Sequence, residues 1–162
     1  MRQLILMRHA KSDWDDQTLG DHARPLNKRG RRSATALGHW LRARNLIPDQ
    51  ILCSSAIRAQ ETCARLKLQI APDLLDSLYM AEPDPMLADL RGAKGTRVLM
   101  IGHNPGIAGF AHLLVTSPPI HGRFDDFPTG ATLVANFAIS AWSDLVPRSG
   151  KIIHFITPHD LT

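Results

Sequence analysis

Short apolar runs that alternate with amphipathic segments limit the folds open to this chain more than any other feature. Three such runs cover residues 4–7, 51–53 and 97–101, and runs of this length are typical of strands buried on both faces of a sheet. Two further strands are predicted at residues 131–139 and 151–156. Strands that alternate with helices indicate an α/β domain with a largely parallel sheet.

Between the predicted strands, apolar residues recur with the spacing of an amphipathic helix. It predicts four helices, over residues 28–45, 56–68, 83 or 85 to 92, and 105–115. Asn27 is a suitable cap for the first helix, and polar residues 12–26 before it form a predicted loop of a length that is often functional. We therefore expect one domain over residues 1–162, with three α/β/α layers, a mostly parallel central sheet and a partly antiparallel edge formed by the last two strands.

The composition restricts the class of protein and its surroundings. With 162 residues, of which 44% are hydrophobic and 21% charged, the chain suits one globular domain. Cys53 and Cys63 lie within apolar patterns, which predicts buried thiols and excludes a disulfide framework or a zinc site made from cysteines alone. The apolar run before Arg8 is shorter than a secretory signal requires, and no run approaches a membrane span. These features predict a cytoplasmic protein without a membrane partner.

The net charge of +4 and the pI of about 9.5 favour anionic partners. Much of the excess charge lies in one predicted helix, at Lys28, Arg29, Arg31, Arg32, Arg42 and Arg44. Two interpretations stay open: a solvated helix face, or a basic rim that attracts a phosphorylated substrate. Nucleic acid is not expected as a partner, because aromatic residues make up only 6% of the chain and no binding motif occurs.

Polar side chains of related chemistry follow three of the predicted strands. Arg8 and His9 end the first strand, Arg58 lies in the first helical turn after the second, and His103 follows the strand at residues 97–101. Because ligands bind at the carboxyl ends of strands in open α/β sheets, these residues can converge in one cleft. Two guanidinium groups can hold a tetrahedral phosphoryl group, and their charge keeps a neighbouring histidine neutral and nucleophilic. The residues therefore predict a phosphate site with an imidazole nucleophile.

Three motifs resemble those of the histidine phosphatase superfamily. Arg-His-Ala-Lys-Ser at residues 8–12 resembles its Arg-His-Gly motif. Ser-Ser-Ala-Ile-Arg-Ala-Gln-Glu-Thr at residues 54–62 is similar to its Ser-Ser-x-x-x-Arg-Ala-x-x-Thr motif, with two residues rather than three between the serines and Arg58. Residues 101–106 match its Gly-His-Asn-Pro-Gly segment. Residues 21–30 and 158–161 resemble the SixA-like branch of phosphohistidine phosphatases. The motifs occur in the family's order along nearly the whole chain, which implies the phosphoglycerate mutase-like fold.

The resemblance implies a phosphatase with a covalent intermediate. His9 would attack phosphorus and become a phosphohistidine, which water would then hydrolyse. Arg8, Arg58 and His103 would hold the three equatorial oxygens and stabilise the charge of the transition state. Neither a metal nor an organic cofactor is implied.

Other polar residues have weaker support. Ser12 is a candidate phosphate donor or a loop cap, and Arg24 in the SixA-like segment is a further candidate for binding phosphate. Asp15 stands where larger family members carry a phosphate-contacting asparagine, so we expect it to point away from the phosphate or to bind a cationic substrate group. The histidines without motif support are expected to be structural or surface residues: His22, His39, His112, His121, His154 and His159.

The leaving group separates the possible substrates. Ester hydrolysis needs a general acid because an alkoxide leaves poorly, yet Met80 falls where many family members carry that acid. Glu82 is the candidate acid, and its alternative role is that of a helix N-terminal carboxylate. A protonated imidazole leaves from a labile P–N bond without such help, so the presence of Met80 in place of an acid favours a phosphohistidine substrate.

The predicted function is removal of phosphate from phosphohistidine in a signalling or phosphotransfer protein, by a monomeric enzyme. One alternative is a small-molecule phosphomonoesterase with Glu82 as general acid, acting on a phosphorylated metabolite. Another is a non-catalytic member that binds phosphorylated partners. A metal-dependent phosphohydrolase that uses Asp13 and Asp15 to bind magnesium is a further alternative, but it leaves the Gly-His-Asn-Pro-Gly segment unexplained.

Overall fold

The structure is a computed structural model that describes all residues, Met1–Thr162. Its six strands are β1 (Arg2–Arg8), β2 (Gln50–Ser54), β3 (Asp73–Leu75), β4 (Arg97–Gly102), β5 (Thr132–Phe137) and β6 (Lys151–Ile156). Its four α-helices are α1 (Lys28–Ala43), α2 (Ile57–Leu66), α3 (Pro83–Arg91) and α4 (Gly106–Leu114). The strands form one sheet in the order β3-β2-β4-β1-β5-β6.

The sheet is mixed, with a parallel half and an antiparallel edge. β1 to β4 run parallel where they pair, whereas β5 is antiparallel to both β1 and β6. This arrangement confirms the predicted α/β class, the largely parallel centre and the antiparallel edge formed by the last two strands.

Alternation along the central strands divides the core into two clusters. In β1, Leu4 and Leu6 face a cluster that includes α3 and α4, while Ile5 and Met7 face a cluster that includes α1 and α2. All four side chains are fully buried, and each contributes about 1.5–3 kcal/mol through loss of contact with water. The continuous apolar run at residues 4–7 follows from this burial on both faces.

Helix starts agree with the predictions to within two residues. Asn27 caps α1 as predicted, because its Oδ1 accepts a hydrogen bond from the Gly30 N–H at 2.8 Å. α2 begins after Ala56 rather than directly after the serines, and Ser54 Oγ accepts from the Ala56 N–H at 3.2 Å. Asn104 lies just before α4, and its Oδ1 accepts from the Ala108 N–H at 3.3 Å.

Two further features concern the edge of the sheet and the two cysteines. The segment between α2 and α3 contains the three-residue strand β3 at the edge of the sheet, which the sequence did not predict as a strand. Cys53 and Cys63 are buried and free, as their apolar surroundings predict. None of the helices combines the length and apolarity that a membrane span requires.

Candidate active site

The register of two neighbouring strands brings two histidines together. Arg8 at the end of β1 lies opposite Gly102 at the end of β4, and the His9 N–H donates to the Gly102 carbonyl at 3.1 Å. His9 and His103 therefore leave the carboxyl edge of the sheet side by side, with ring centroids 5.0 Å apart. The sequence prediction that these strand ends converge is met by this geometry.

The ring of His9 is held in one orientation. Its Nδ1 lies 2.7 Å from the Ala10 carbonyl oxygen, an acceptor, so Nδ1 carries the proton and Nε2 has the free lone pair. The Arg58 Nε–H donates to that Nε2 at 3.4 Å. Burial lowers the pKa of His9 to about 3, with added contributions from His103, Arg58 and Arg8. His9 is therefore neutral near pH 7, with Nε2 directed at the arginine.

A buried threonine ties this turn to the following helix. Thr62 Oγ1 accepts from the Ala10 N–H at 3.0 Å and donates to the Arg58 carbonyl at 2.7 Å. The residue after His9 and the helix that carries Arg58 are thereby held together. Thr62 is the last residue of the second motif, which gives that position in the motif a structural reason.

His103 is the second buried imidazole. Its Nε2 lies 2.7 Å from Ser54 Oγ, while its Nδ1 has no hydrogen-bond partner in the protein although the atom is buried. Burial, and then the charge of Arg58, lowers the pKa of His103 to about 3. Ser54, the last residue of β2, thus helps to orient this ring.

Arg8 lies at the other side of His9. Its Nη1 donates to the Phe127 carbonyl at 3.2 Å, and its Nε is buried without a partner. Burial, followed by the charge of Arg58, lowers the pKa of Arg8. Two guanidinium groups that disfavour each other's charge make the site strongly attractive to an anion.

Asp21 is a site residue to which the sequence prediction assigned no role. Its carboxylate accepts from Arg58 Nη2 at 3.0 Å and from Arg24 Nη2 at 2.9 Å, and it also binds the Tyr79 hydroxyl. The hydrogen bond from Tyr79, followed by those from the arginines, holds the pKa of Asp21 well below its ordinary value. The three-residue spacing between Asp21 and Arg24 in the SixA-like segment was the signal that could have revealed this link.

Ser12 and Arg24 lie together in the same cleft. Both side chains are buried, and an Arg24 Nη1–H donates to Ser12 Oγ. The Arg24 guanidinium also stacks on the Trp14 ring, with Cζ 3.6 Å from the ring centroid. Arg24 Nε is buried without a partner. The structure thus places both candidates beside the predicted nucleophile, and it adds Trp14, which the sequence prediction missed.

Glu82, the candidate general acid, lies outside the cleft that contains His9. Glu82 is exposed, occupies the N-cap position of α3 and does not line the cleft. Met80 does line it, with Sδ 3.7 Å from Arg58 Nη2. Asp15 is exposed and also lies outside the cleft lining, in line with the expectation that it points away. Among the lining residues, Asp21 is the one carboxylate.

The cleft has a volume of about 240 Å³ and a largely polar wall. Its lining comprises Arg8, His9, Lys11, Ser12, Trp14, Asp21, Arg24, Arg58, Met80, His103, Asn104 and Thr129. Four cationic side chains and one acid surround the two histidines. No group of three or more His, Cys, Asp or Glu side chains is arranged to hold a metal ion.

The remaining histidines lie outside this lining. His22 is exposed but close to it, with Nε2 3.0 Å from Ser55 Oγ and its ring 4.8 Å from that of Tyr79. His121 Nε2 lies 2.8 Å from a carboxylate oxygen of Asp160 in the C-terminal segment. Both agree with the expectation of structural or surface roles.

Comparison with known proteins defines the class. The profile of the histidine phosphatase superfamily (branch 1) matches residues 4–79. The uncharacterized protein MT1313 of Mycobacterium tuberculosis is 34% identical over 159 residues, which cover 94% of this chain and 99% of the relative. The chain belongs to the histidine phosphatase superfamily. Its motifs and fold place it in the SixA-like branch.

Two solved structures show the likeness in three dimensions. The proposed phosphohistidine phosphatase SixA of Nakamurella multipartitia has a TM-score of 0.80 and 30% identity, over 96% of this chain and 97% of that one. The protein histidine phosphatase SixA complexed with tungstate has a TM-score of 0.78 and 22% identity, over 99% of both chains. The first supports phosphatase activity, and the second establishes the shared fold.

Proposed function

We propose that the protein removes phosphate from phosphohistidine in a protein substrate, through a covalent intermediate on His9. The orientation of His9 carries this proposal. Since Nδ1–H donates to the Ala10 carbonyl at 2.7 Å, Nε2 is the unprotonated nitrogen that carries the lone pair, and it faces Arg58 inside a cationic cleft. A neutral, fixed imidazole beside arginines combines a nucleophile with an anion site.

The cationic residues have complementary tasks in the proposed reaction. Arg8, Arg58 and His103 hold the equatorial oxygens of the phosphoryl group, while Ser12 and Arg24 contact its outer side. Buried atoms without protein partners support this assignment: Arg8 Nε, Arg24 Nε and His103 Nδ1. Because such atoms cost free energy when left unpaired, an oxyanion that accepts from them is bound favourably.

The chemistry proceeds in two displacements. The Nε2 lone pair of His9 forms a bond to phosphorus, and the P–N bond of the substrate breaks. The substrate imidazole, which carries a proton on its other ring nitrogen, leaves as a neutral group. Water then attacks phosphorus, the P–Nε2 bond breaks, and inorganic phosphate is released as His9 recovers its lone pair. The proton on Nδ1, held by Ala10, keeps His9 a good leaving group in the second step.

The wall of the cleft supports the choice of substrate class. Its one carboxylate, Asp21, is bound to two arginines and a tyrosine, and its pKa is well below the ordinary value, so it is a poor proton donor near pH 7. Glu82 lies outside the cleft lining. The imidazole of a phosphoramidate leaves without the general acid that an alkoxide leaving group requires. The SixA names of the structural neighbours support the same class.

The proposal is tested by turnover of a phosphohistidine protein and of p-nitrophenyl phosphate, with a chelator present throughout. Wild type is expected to prefer the phosphoramidate, and His9→Ala is expected to lose activity on both substrates by a factor of about 10³ or more. Rapid quenching of wild type should trap a phosphoenzyme that is labile to acid and stable to base. His39→Ala, which removes an exposed histidine of α1, is the control. Full activity in His9→Ala, or an ester preference, would contradict the proposal.

A further inference from the structure

A basic groove opens directly from the catalytic cleft. Arg8, Lys11 and Thr129 line both the cleft and a neighbouring cavity of about 330 Å³. The walls of this cavity are mostly polar or charged, with Pro128 and Pro158 as its apolar side chains. A group bound to His9 can therefore extend into the groove without crossing an apolar barrier.

The charges of this cavity are unbalanced. Its one carboxylate, Asp126, is already paired with Arg123, whose Nε and Nη2 donate to it at 3.0 and 2.9 Å. Lys11 and Arg29 also line the cavity and form no salt bridge within the protein. The groove therefore presents positive charge that is free to meet an anionic ligand.

The groove continues outward along α1. A second cavity, of about 550 Å³, shares Arg29, Ser33, Pro158 and His159 with the first and adds Arg32. Arg29 and Arg32 are exposed and three residues apart on α1, so they lie on one face, roughly 5–6 Å apart at Cβ. Alternate side chains of an extended peptide have a similar spacing of about 6.6–6.8 Å.

We propose that the groove formed by Lys11, Arg29, Arg32, Ser33 and His159 binds carboxylate side chains of an acidic segment that flanks the phosphohistidine in a protein substrate. The proposal rests on the proposed function and names the surroundings of the phosphorylated residue that the enzyme selects. Two features favour a peptide over a small phosphate ester. The cleft opens into two successive cavities of about 330 and 550 Å³, and Arg29 and Arg32 have roughly the spacing of alternate residues of an extended chain.

The proposal is tested with two synthetic phosphohistidine peptides of equal length, one with neutral flanks and one with Asp or Glu at alternate flanking positions. For wild type, kcat/KM for the acidic peptide is expected to exceed that for the neutral peptide by about fivefold or more at low ionic strength. Because the contacts are exposed ion pairs, the ratio should fall towards one as salt is added. In Arg29→Glu/Arg32→Glu the ratio should fall to one or below, and Arg29→Lys/Arg32→Lys should retain most of it.

The control is Lys151→Glu, which reverses an exposed charge at the start of β6, outside the groove lining. It should keep the wild-type ratio. Equal turnover of both peptides by wild type would overturn the groove assignment and leave the phosphohistidine activity intact. An unchanged ratio in the Arg29→Glu/Arg32→Glu variant would overturn it too. Turnover of p-nitrophenyl phosphate with neither peptide dephosphorylated would instead overturn the proposed function, and the groove assignment with it.

Discussion

The carboxylate of Asp21 accepts a hydrogen bond from Nη2 of Arg58 at 3.0 Å. The Asp21 carbonyl also accepts from Nη1 of the same guanidinium, at 2.7 Å. These two contacts fix the plane of the group and leave its Nε–H to donate to His9 Nε2 at 3.4 Å. Asp21 therefore acts through Arg58, as a residue that positions the guanidinium against the predicted nucleophile.

Asp21→Asn tests this positioning role. The amide keeps the shape but loses the charge that holds Arg58 and Arg24, so kcat should fall by about 10-fold to 100-fold while KM changes less. The measurement is steady-state kinetics with a phosphohistidine substrate. Asp21→Glu should restore part of kcat, which a merely structural role does not predict. Asp16→Asn, in the same loop and bonded to Thr18, is the control and should stay near wild type.

Much of the fold follows from local sequence. The apolar run at residues 4–7 predicts a strand because both faces of β1 are buried, and Asn27 marks a helix start because its side chain suits only a few backbone positions. Once the strands were predicted, Arg8, His9 and His103 could be placed at strand ends, and Arg58 in the first turn of the following helix. β3 was missed as a strand because it has three residues, all at least partly exposed, and its pairing with β2 depends on tertiary contacts.

The wall of the site was harder to predict than its centre. Trp14 and Asp21 line the cleft from the loop before α1, and Tyr79 contacts Asp21 from the segment before α3; neither segment has regular periodicity. Glu82 was the candidate acid because it lies close to Met80 in the sequence. The chain turns at Met80, which has a φ of 50°, and this turn leaves Glu82 at the exposed N-cap position of α3. Such turns are set by packing and carry little sequence signal.

The two buried histidines predict how stability depends on pH. The pKa of each is about 3 in the folded protein, against about 6.5 in an unfolded chain. Between these values the unfolded state binds more protons, so stability is full above about pH 6.5 and falls as the pH drops towards 3. Each histidine adds at most about 1.4 kcal/mol per pH unit to this slope.

Urea unfolding at pH 4 to 7 measures that slope. His103→Gln should reduce the slope relative to wild type, because one group that gains a proton on unfolding has been removed. His39→Gln, at an exposed position of α1, controls for the loss of an imidazole. An undiminished slope in His103→Gln would show that other groups account for acid sensitivity.

Gly30 is expected to be sensitive to a single added methyl group. It is buried in the first turn of α1, and a Cβ there would collide with the backbone carbonyl of Lys11. Because backbone cannot yield as a flexible side chain does, Gly30→Ala should destabilise the protein by about 1–3 kcal/mol. It should also lower activity, since Lys11 lies two residues after His9. Gly20→Ala, where a Cβ meets nothing within 4 Å, should leave both the unfolding free energy and turnover close to wild type.

Trp14 offers an optical report of anion binding. Trp14 is 67% exposed and its ring lies under Arg24, whereas Trp40 and Trp142 are buried in the core. An oxyanion in the cleft that accepts hydrogen bonds from Arg24 alters the charge above the Trp14 ring, so tungstate or vanadate should change the tryptophan emission in a saturable way. Trp14→Phe should abolish most of that change, while Trp40→Phe should retain it.

Tungstate affinities of two variants distinguish the contribution of the Trp14 ring from that of the Arg24 guanidinium. A cation–π contact at an exposed site contributes about 0.5–1 kcal/mol, so Trp14→Phe should weaken tungstate binding by no more than about fivefold, measured by calorimetry. Arg24→Ala removes a charge-assisted donor and should weaken binding by about tenfold or more. If Arg24→Ala binds tungstate as tightly as wild type, Arg24 does not contact the oxyanion, and its buried guanidinium serves only to join Ser12, Trp14 and Asp21 in the loop wall.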